Sequence, residues 1–490
     1  MRSDGPGLAG WAERQYAVSA RNLTLGVSAT HLVKQRPPFR QRIVPKPGSV
    51  VATAVMGAYD PDPDYFFHWY RDSALVMDAL RIAIADGSRP AADTGLIRDF
   101  IRFSLDLRGL TGVAVLAAGD PKRGVDPAFV QHVRSDADLR GVAGDRIWGE
   151  VRVNPDGTLD TLNWSRPQHD GPALRALTLL RGRDLDGLDR AAAAELLRID
   201  LAFVLAHHRE PSFEIWEDSL GHDYYTQAVQ CAALREGANW LEAQGESETA
   251  DRCRQASAAL ATALDGHWQA DAGAYASLLP AAADAPRRAL DIAVILGVLH
   301  AGLPDGPHSV LDPRAQATLA ALEDLFAGLY PINLDRPPGQ APALGRYRED
   351  QYYGGGAWYI ATLGAAEFHF RLAGALAGGA DFTLTADNRG FVVRALGAEP
   401  GAEDVASPAG RRQLTAALLA RGDAFLATVR AYTPDDGALS EQFDRTTGAQ
   451  TSARHLGWSY AGFITAMAAR RKASVSLGLT DNNPNCHCRA

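Results

Sequence analysis

Apolar residues recur along this chain at intervals of three and four for most of its length, and almost nowhere with the strict alternation of a half-buried strand. The pattern predicts about twelve helices, near residues 8–21, 72–86, 94–107, 170–182, 188–208, 224–243, 246–265, 288–300, 313–328, 355–377, 411–430 and 453–472. Local signals agree with several boundaries. Asp312 followed by Pro313 reads as a side-chain cap with proline in the first turn, and Gly87, Gly182 and Gly378 follow helical runs where a left-handed residue is wanted.

The helices differ in their polar faces, and the difference alternates. From His455 to Ala469 no side chain is charged apart from the histidine, and from Trp358 to Ala377 only Glu367 and Arg371 interrupt an apolar surface. A helix apolar nearly all round is buried on every side. The seventh helix, by contrast, opens ESETADRCRQ, and the eleventh carries Arg411, Arg412, Arg421, Asp423 and Arg430. Buried even-numbered helices alternating with half-wet odd-numbered ones predict an all-α fold, an (α/α)6 barrel with an inner ring of six helices inside an outer six.

Composition narrows the partners. A formal net charge of −9 argues against nucleic acid or an anionic membrane surface, both of which reward a basic face. No apolar run reaches the length of a membrane span and the N-terminal residues lack an apolar leader, so a soluble cytoplasmic protein is expected. Four cysteines in 490 residues do not make a disulfide framework. Residues 1–472 are expected to form one catalytic domain, and residues 473–490 a flexible tail in which Cys486-His487-Cys488 is not read as a metal site.

The polar, aromatic-rich segments fall in phase with the even-numbered helices. YFFHWYRD (65–72) leads into the second, NWSRPQHDGP (163–172) into the fourth, FEIWEDSLGHDYY (213–225) into the sixth, GRYREDQYYGGGAW (345–358) into the tenth, and LSEQFD (439–444) through Trp458 into the twelfth. In a ring of antiparallel hairpins these five segments emerge at one end and converge on one pocket. Together they bring acids (Asp72, Glu217, Asp218, Glu349, Asp350, Glu441), arginines (Arg71, Arg166, Arg346) and aromatics (Tyr65, Trp69, Trp164, Trp216, Tyr352, Trp358, Trp458). Aromatic faces stack on the C–H faces of sugars while Arg and Asp satisfy hydroxyls, so this mixture suits a pyranose. No Cys/His cluster, Gly-rich phosphate loop or nucleophilic serine elbow occurs, and no metal or cofactor is expected. Two carboxyls are then the simplest machinery for breaking a glycosidic bond. In FEIWED, a carboxyl pressed against Trp216 and Ile215 has its charged form disfavoured, as a general acid requires, but the residues do not choose between Glu214 and Glu217.

The segments YFFHWYRDSALV, NWSRPQHDGPALRA, FEIWED followed by YYTQAVQ, GRYREDQYYGGGAWYIAT and GALSEQFDRTTGAQTSARHLGWSYA resemble glycoside hydrolase family 15, the glucoamylases, in the family's order and over roughly residues 8–472; GEVRVNPDG (149–157) matches as well. The resemblance implies an (α/α)6 barrel and an inverting enzyme that releases β-glucose from non-reducing ends. It implies that Glu217 is the general acid and Glu441 the general base, with Gln442 helping to hold the nucleophilic water. Arg71, Asp72 and Arg346 would bind the terminal glucose, with backbone near Ile215 and Trp216. Tyr65 would face the developing positive charge, and Trp69, Trp164, Trp358 and Trp458 would wall the pocket; Arg166 and Tyr352 are further substrate-binding candidates.

The chain departs from the family at Asp218 (usually Glu), Ser165 (Gly) and Arg348 (often Pro), and at Phe66, Phe67, His68 and Tyr70. These positions are expected to flank the leaving-sugar side, which leaves α-1,4, α-1,6 and α,α-1,1 linkages open. His68 and His222 are expected near that side without a catalytic role. A carbohydrate-binding barrel that has lost the reaction is the reading from another class, and retention of both Glu217 and Glu441 argues against it.

Overall fold

The computed structural model of the chain describes residues 7–57, 62–280 and 288–478. Every expected helix is present. Numbering only the helices of the two rings, they are α1 (Leu8–Asn22), α2 (Tyr70–Ala85), α3 (Thr94–Asp106), α4 (Asp170–Gly182), α5 (Arg190–His207), α6 (Tyr224–Ala243), α7 (Ser247–Asp265), α8 (Ala293–Ala301), α9 (Pro313–Leu329), α10 (Tyr359–Ala377), α11 (Pro408–Ala431) and α12 (Gly457–Ser476). Asp312 caps α9, its Oδ1 accepting from the Arg314 N–H at 2.9 Å with Pro313 in the first turn, as its sequence predicts. Gly87 is left-handed (φ 78°). After α10, however, the left-handed residue is Gly379 (φ 91°) rather than Gly378, and Gly182 closes α4 inside the helix with Arg183 following in helical conformation.

Helices α2, α4, α6, α8, α10 and α12 each pack on the next, and α12 packs on α2, which closes the inner ring. Each outer helix lies on the inner helix before it in sequence, and the sixth hairpin joins the two ends of the chain, α1 packing on α12. The fold is the expected (α/α)6 barrel. Burial explains why the charge alternation was informative: residues 359–370 of α10 are all buried, whereas α7 and α11 keep solvent-facing sides. Removing a Leu or Phe side chain of this kind from water contributes ~1.5–3 kcal/mol, and the inner helices hold many. Close approach also matters. A Cβ on Gly422 of α11 would stand 2.3 Å from the Phe370 ring of α10, so a larger residue there would push the hairpin apart.

Three inner helices begin later than their apolar pattern suggests, at Ala293, Tyr359 and Gly457 instead of 288, 355 and 453. Of the residues ahead of them at the loop end of the barrel, 291–292, 355–358, Ala453 and Leu456 are buried, so burial continues part of the pattern where the helix does not. Short antiparallel ladders occupy that end: β1 (His68–Trp69) with β2 (Arg152–Val153); β3 (Ser212–Phe213), β4 (Leu220–Asp223) and β5 (Leu278–Pro280); and β6 (Ala357–Trp358), β7 (Gln442–Phe443) and β8 (Gln450–Thr451). α12 continues through Ser476 with Ala473 buried, so residues 473–476 belong to the helix and not to the expected tail. Cys486-His487-Cys488 lies outside the described residues. Among the described residues no helix is long and apolar enough to cross a membrane.

Candidate active site

The loops that lead into α2, α4, α6, α10 and α12 enclose a cavity of about 480 Å³ at one end of the barrel. Its lining is Tyr65, Trp69, Arg71 and Asp72; Asn163, Trp164 and Ser165; Ile215, Trp216, Glu217 and Asp218; Arg346, Tyr352 and Trp358; and Glu441 and Trp458, with Ala52 and Leu456 as apolar wall.

Glu217 sits on a tight turn. Its N–H donates to the Glu214 carbonyl (2.8 Å) and its φ is 67°, a left-handed conformation that a non-glycine residue adopts only when its surroundings hold it. Glu214 supplies that hold. Its buried carboxyl accepts the N–H groups of Trp216 (2.6 Å), Asp218 (3.0 Å) and Ser219 (3.1 Å), with Arg288 3.5 Å away. Burial pushes Glu214 up to about 7 against the pull of Arg288. Glu214 thus shapes the turn, and Glu217 faces the cavity.

Four side chains donate to the Glu217 carboxyl. Oε1 accepts from Trp69 Nε1 (2.9 Å), Gln168 Nε2 (3.0 Å) and Arg71 Nη2 (3.2 Å), and Oε2 from Trp164 Nε1. Ser165 Oγ donates to the Glu217 carbonyl at 2.5 Å, so the serine that replaces glycine ties the fourth-helix loop to the sixth-helix loop.

Glu441 immediately precedes β7 and is buried. Its Oε2 accepts from Ser452 Oγ across the β7–β8 hairpin. Burial pushes Glu441 up to about 7, opposed by the Ser452 hydrogen bond and the charge of Arg346. Tyr65 and Tyr352 share a hydrogen bond (2.7 Å), and the charge of Glu441 bears on both hydroxyls.

Fixed charges line the same cavity. Arg71 is clamped by Asp170 (3.1 Å), Gln168 (3.0 Å) and Asp72 (3.4 Å), and burial raises Asp72 to about 6 against the pull of Arg71. Arg346 is held by both oxygens of Asp350, with Nε to Oδ2 at 2.9 Å, and its Nη1 stands 3.5 Å from Asp218. Trp216 anchors its indole N–H on Asp291 (2.9 Å) and presents its faces to Trp358 and Trp458, with centroids 5.3 and 6.4 Å away. Asp218 sits at the rim, its side chain 39% exposed against 14% for Glu217, and accepts from Tyr347 Oη at 2.6 Å.

A pocket with two glutamates, clamped arginines and five tryptophans agrees with what the family resemblance implies, and comparison with known proteins decides the family. The family model described as glycosyl hydrolases family 15 matches residues 149–468. The chain belongs to glycoside hydrolase family 15. Among curated family 15 relatives, Glucoamylase-1 of Arthroderma benhamiae is 31% identical over 460 residues, covering 89% of this chain and 67% of that protein. The intracellular sporulation-specific glucoamylase of Saccharomyces cerevisiae is 28% identical, covering 88% of this chain and 80% of its own. Among solved structures, the family 15 glucoamylase from Hypocrea jecorina superposes with a TM-score of 0.78 at 26% identity, covering 96% of this chain and 75% of that one. As a family 15 member the chain is a glycoside hydrolase.

Several expected site residues lie elsewhere. Arg166 turns away from the cavity, with Nε on Glu150 (2.6 Å) and Nη2 on Asp160 (2.8 Å), because two buried carboxylates lie behind its loop. Gln442 follows Glu441 in an extended run whose neighbours point to opposite faces, so its Oε1 accepts from the Gly356 N–H (3.2 Å) rather than facing the cavity. Of the acids, Glu349 is exposed and Asp350 lies behind Arg346. Phe66, Phe67, His68 and Tyr70 are buried beneath the pocket, not beside it. His68 Nδ1 accepts from the Val50 N–H (2.9 Å), and burial pushes the ring down to about 3, so it is a neutral core residue. His222, on β4, lines a separate surface cleft with His208 and Arg209. Arg348 is exposed and outside the cavity lining. Conversely, Gln168 and Ser452 hold the two carboxyls without having been singled out. Gln168 lies inside the motif NWSRPQHDGP, but Ser452 is reached only through the β7–β8 register, which no local spacing encodes.

Proposed function

We propose that this enzyme is an inverting, exo-acting α-glucosidase that releases β-D-glucose from the non-reducing ends of α-glucans or short α-gluco-oligosaccharides. The observation that carries the reading is the pair of carboxyls, Glu217 and Glu441, opening on one cavity beside Arg71, Asp72 and Arg346. The cavity volume lies within the range of small-ligand sites, which suits a terminal sugar held end-on. In this mechanism Glu217 passes its proton to the glycosidic oxygen as that bond breaks. Glu441 takes a proton from a water that attacks the anomeric carbon from the opposite face, so one proton is given, one is recovered and the configuration inverts. Arg71, Asp72 and Arg346 hydrogen-bond the sugar hydroxyls, Tyr65 faces the ring as positive charge develops, and Trp69, Trp164, Trp358 and Trp458 wall the site.

The glucoamylase names of its relatives favour α-1,4 linkages. Asp218 bears on that choice. With one methylene fewer than Glu and a hydrogen bond already made to Tyr347, it meets a leaving-sugar hydroxyl at longer range, which keeps α-1,6 and α,α-1,1 linkages within the reading. The unpaired, buried thiols Cys231 and Cys253, together with the intracellular yeast relative, support a cytoplasmic location and short substrates over granular starch. We also propose one catalytic domain ending with α12.

The test is a time course of glucose release from maltose, isomaltose, trehalose and maltoheptaose. The expected outcome is release from maltose and maltoheptaose one residue at a time. Release from isomaltose or trehalose alone would reassign the linkage, and release from none would overturn the reading.

A further inference from the structure

The stretch GEVRVNPDG matches the family, yet none of its side chains lines the cavity. Its Arg152 is nonetheless one of the least exposed charged residues of the molecule, with a side-chain exposure of 0%. It is paired through Nε to Asp160 Oδ2 at 2.9 Å, and Asp160 is shared with Arg166. Neither Nη1 nor Nη2 has a hydrogen-bond acceptor among the described residues. The guanidinium lies instead among aromatic rings: its carbon is 3.7 Å from the centroid of Trp164, 4.8 Å from Trp69 and 3.9 Å from Phe67. Trp164 and Trp69 are the two residues whose indole N–H groups donate to Glu217, one to each carboxyl oxygen.

We propose that Arg152 is a positioning residue for the general acid: its buried guanidinium, clamped among the faces of Trp69 and Trp164, fixes the two indoles that hold Glu217 at the glycosidic oxygen. Three features converge on this. The chain places Arg152 directly opposite Trp69 in the β1–β2 ladder, so the two side chains are cross-strand neighbours by register. A cation against an indole face is attracted by the ring quadrupole, most strongly where water is excluded, and draws electron density from the ring, which makes the N–H a better donor. The guanidinium carbon also stands over the Trp164 and Phe67 rings at stacking distance (3.7 and 3.9 Å), and a planar guanidinium can stack on an aromatic face where an ammonium cannot. Ion pairs keep the device rigid: Asp160 bridges Arg152 to Arg166, Glu150 bridges Arg166 to Arg134, and Arg134 reaches Asp138. The pairing of Arg166 thus has a consequence for the site, although its guanidinium does not face the cavity.

The proposal rests on Glu217 as the acid of an α-glucosidase, so its test separates acid-dependent from acid-independent bond breaking. Maltose needs its leaving oxygen protonated, whereas α-glucosyl fluoride expels fluoride with little help. Arg152→Met should lower kcat on maltose about 10²-fold, the cost of misplacing a catalytic group by about an ångström, while kcat on α-glucosyl fluoride stays within about threefold. Arg152→Lys, with charge but no plane, should fall between, at about tenfold on maltose. Arg152→Met combined with Asp160→Asn, which leaves no carboxylate without its arginine, should show the same discrimination and serves if Arg152→Met alone fails to fold. An equal loss on both substrates, or no loss on maltose, in a variant that melts like the parent would overturn the proposal. If the parent enzyme hydrolyses neither substrate, the functional reading fails on its own terms. The positioning claim is then decided by a crystal structure of Arg152→Lys or the double variant: displaced indoles support it, and unchanged indole contacts to Glu217 refute it.

Discussion

The two walls of the cavity hold their carboxyls in different ways. Glu217 stands on a strained turn, ringed by four N–H donors from two segments, those leading into α2 and α4, with part of its surface open to the cavity. Glu441 is buried beside a short hairpin, and its hydroxyl partner Ser452 immediately follows the second strand of that hairpin. The first arrangement fixes position, because donors on both oxygens leave the carboxyl no freedom to turn. The second fixes environment, because burial raises the value of Glu441 to about 7. Environment of this kind assigns different tasks to chemically identical groups. An acid must meet one oxygen of the substrate, whereas a base must accept from a water that diffuses in, so position matters most on the first wall and ionisation on the second.

The largest effects should come from removing each carboxyl. Glu217→Gln and Glu441→Gln should each lower kcat on maltose by ~10²–10⁴-fold with unchanged melting temperature. The two walls should then part company: the Glu217 variant retains most of its activity on α-glucosyl fluoride and the Glu441 variant does not. Equal behaviour on that substrate would erase the distinction. Next is pH. A base works only when ionised, and with Glu441 raised to about 7 by burial, kcat/KM should fall about tenfold per unit as pH drops below that value, and fall again on the alkaline side where Glu217 loses the proton it must give. A profile flat down to the usual carboxylate range would show that the buried environment does not govern the base. Ser452→Ala, which removes a hydrogen bond to the ionised form, should move that acidic limb upward by about one unit, since a hydrogen bond to a charged group contributes ~1.5–3 kcal/mol. The corresponding change on the other wall, Gln168→Leu, should lower kcat without moving the limb, because three donors to Glu217 remain. Smallest is the rim. Asp218→Glu should alter the maltose-to-isomaltose ratio of kcat/KM by a fewfold, about 1 kcal/mol, with little effect on kcat for either.

The ring of helices was readable in advance because burial leaves a mark on every turn of a helix. Residues 359–370 have no wet side, and that is visible without knowing what covers them. The five cavity segments were readable for a related reason, since a loop leading into an inner helix must emerge at the same end as the others. What could not be read was direction within a loop. Arg166 stands two residues from Trp164, yet one faces Glu150 and the other Glu217. Gln442 adjoins Glu441 and points the opposite way. His68 looked like a polar intruder beside the substrate, and it is a neutral ring packed 4.9 Å from Phe103. Extended and irregular backbone alternates its faces residue by residue, and only the long-range partners decide which face is the cavity. Arg152 is the extreme case: its role depends on a two-residue ladder formed with a segment more than eighty positions away.

The central claim is that two carboxyls on opposite walls act on one bond, with water delivered from the side away from the leaving group. Following the anomeric signals of the first glucose released from maltose by proton NMR tests it most directly. The account predicts β-glucose first, decaying to the equilibrium mixture; α-glucose first would place water or a nucleophile on the wrong face and contradict it.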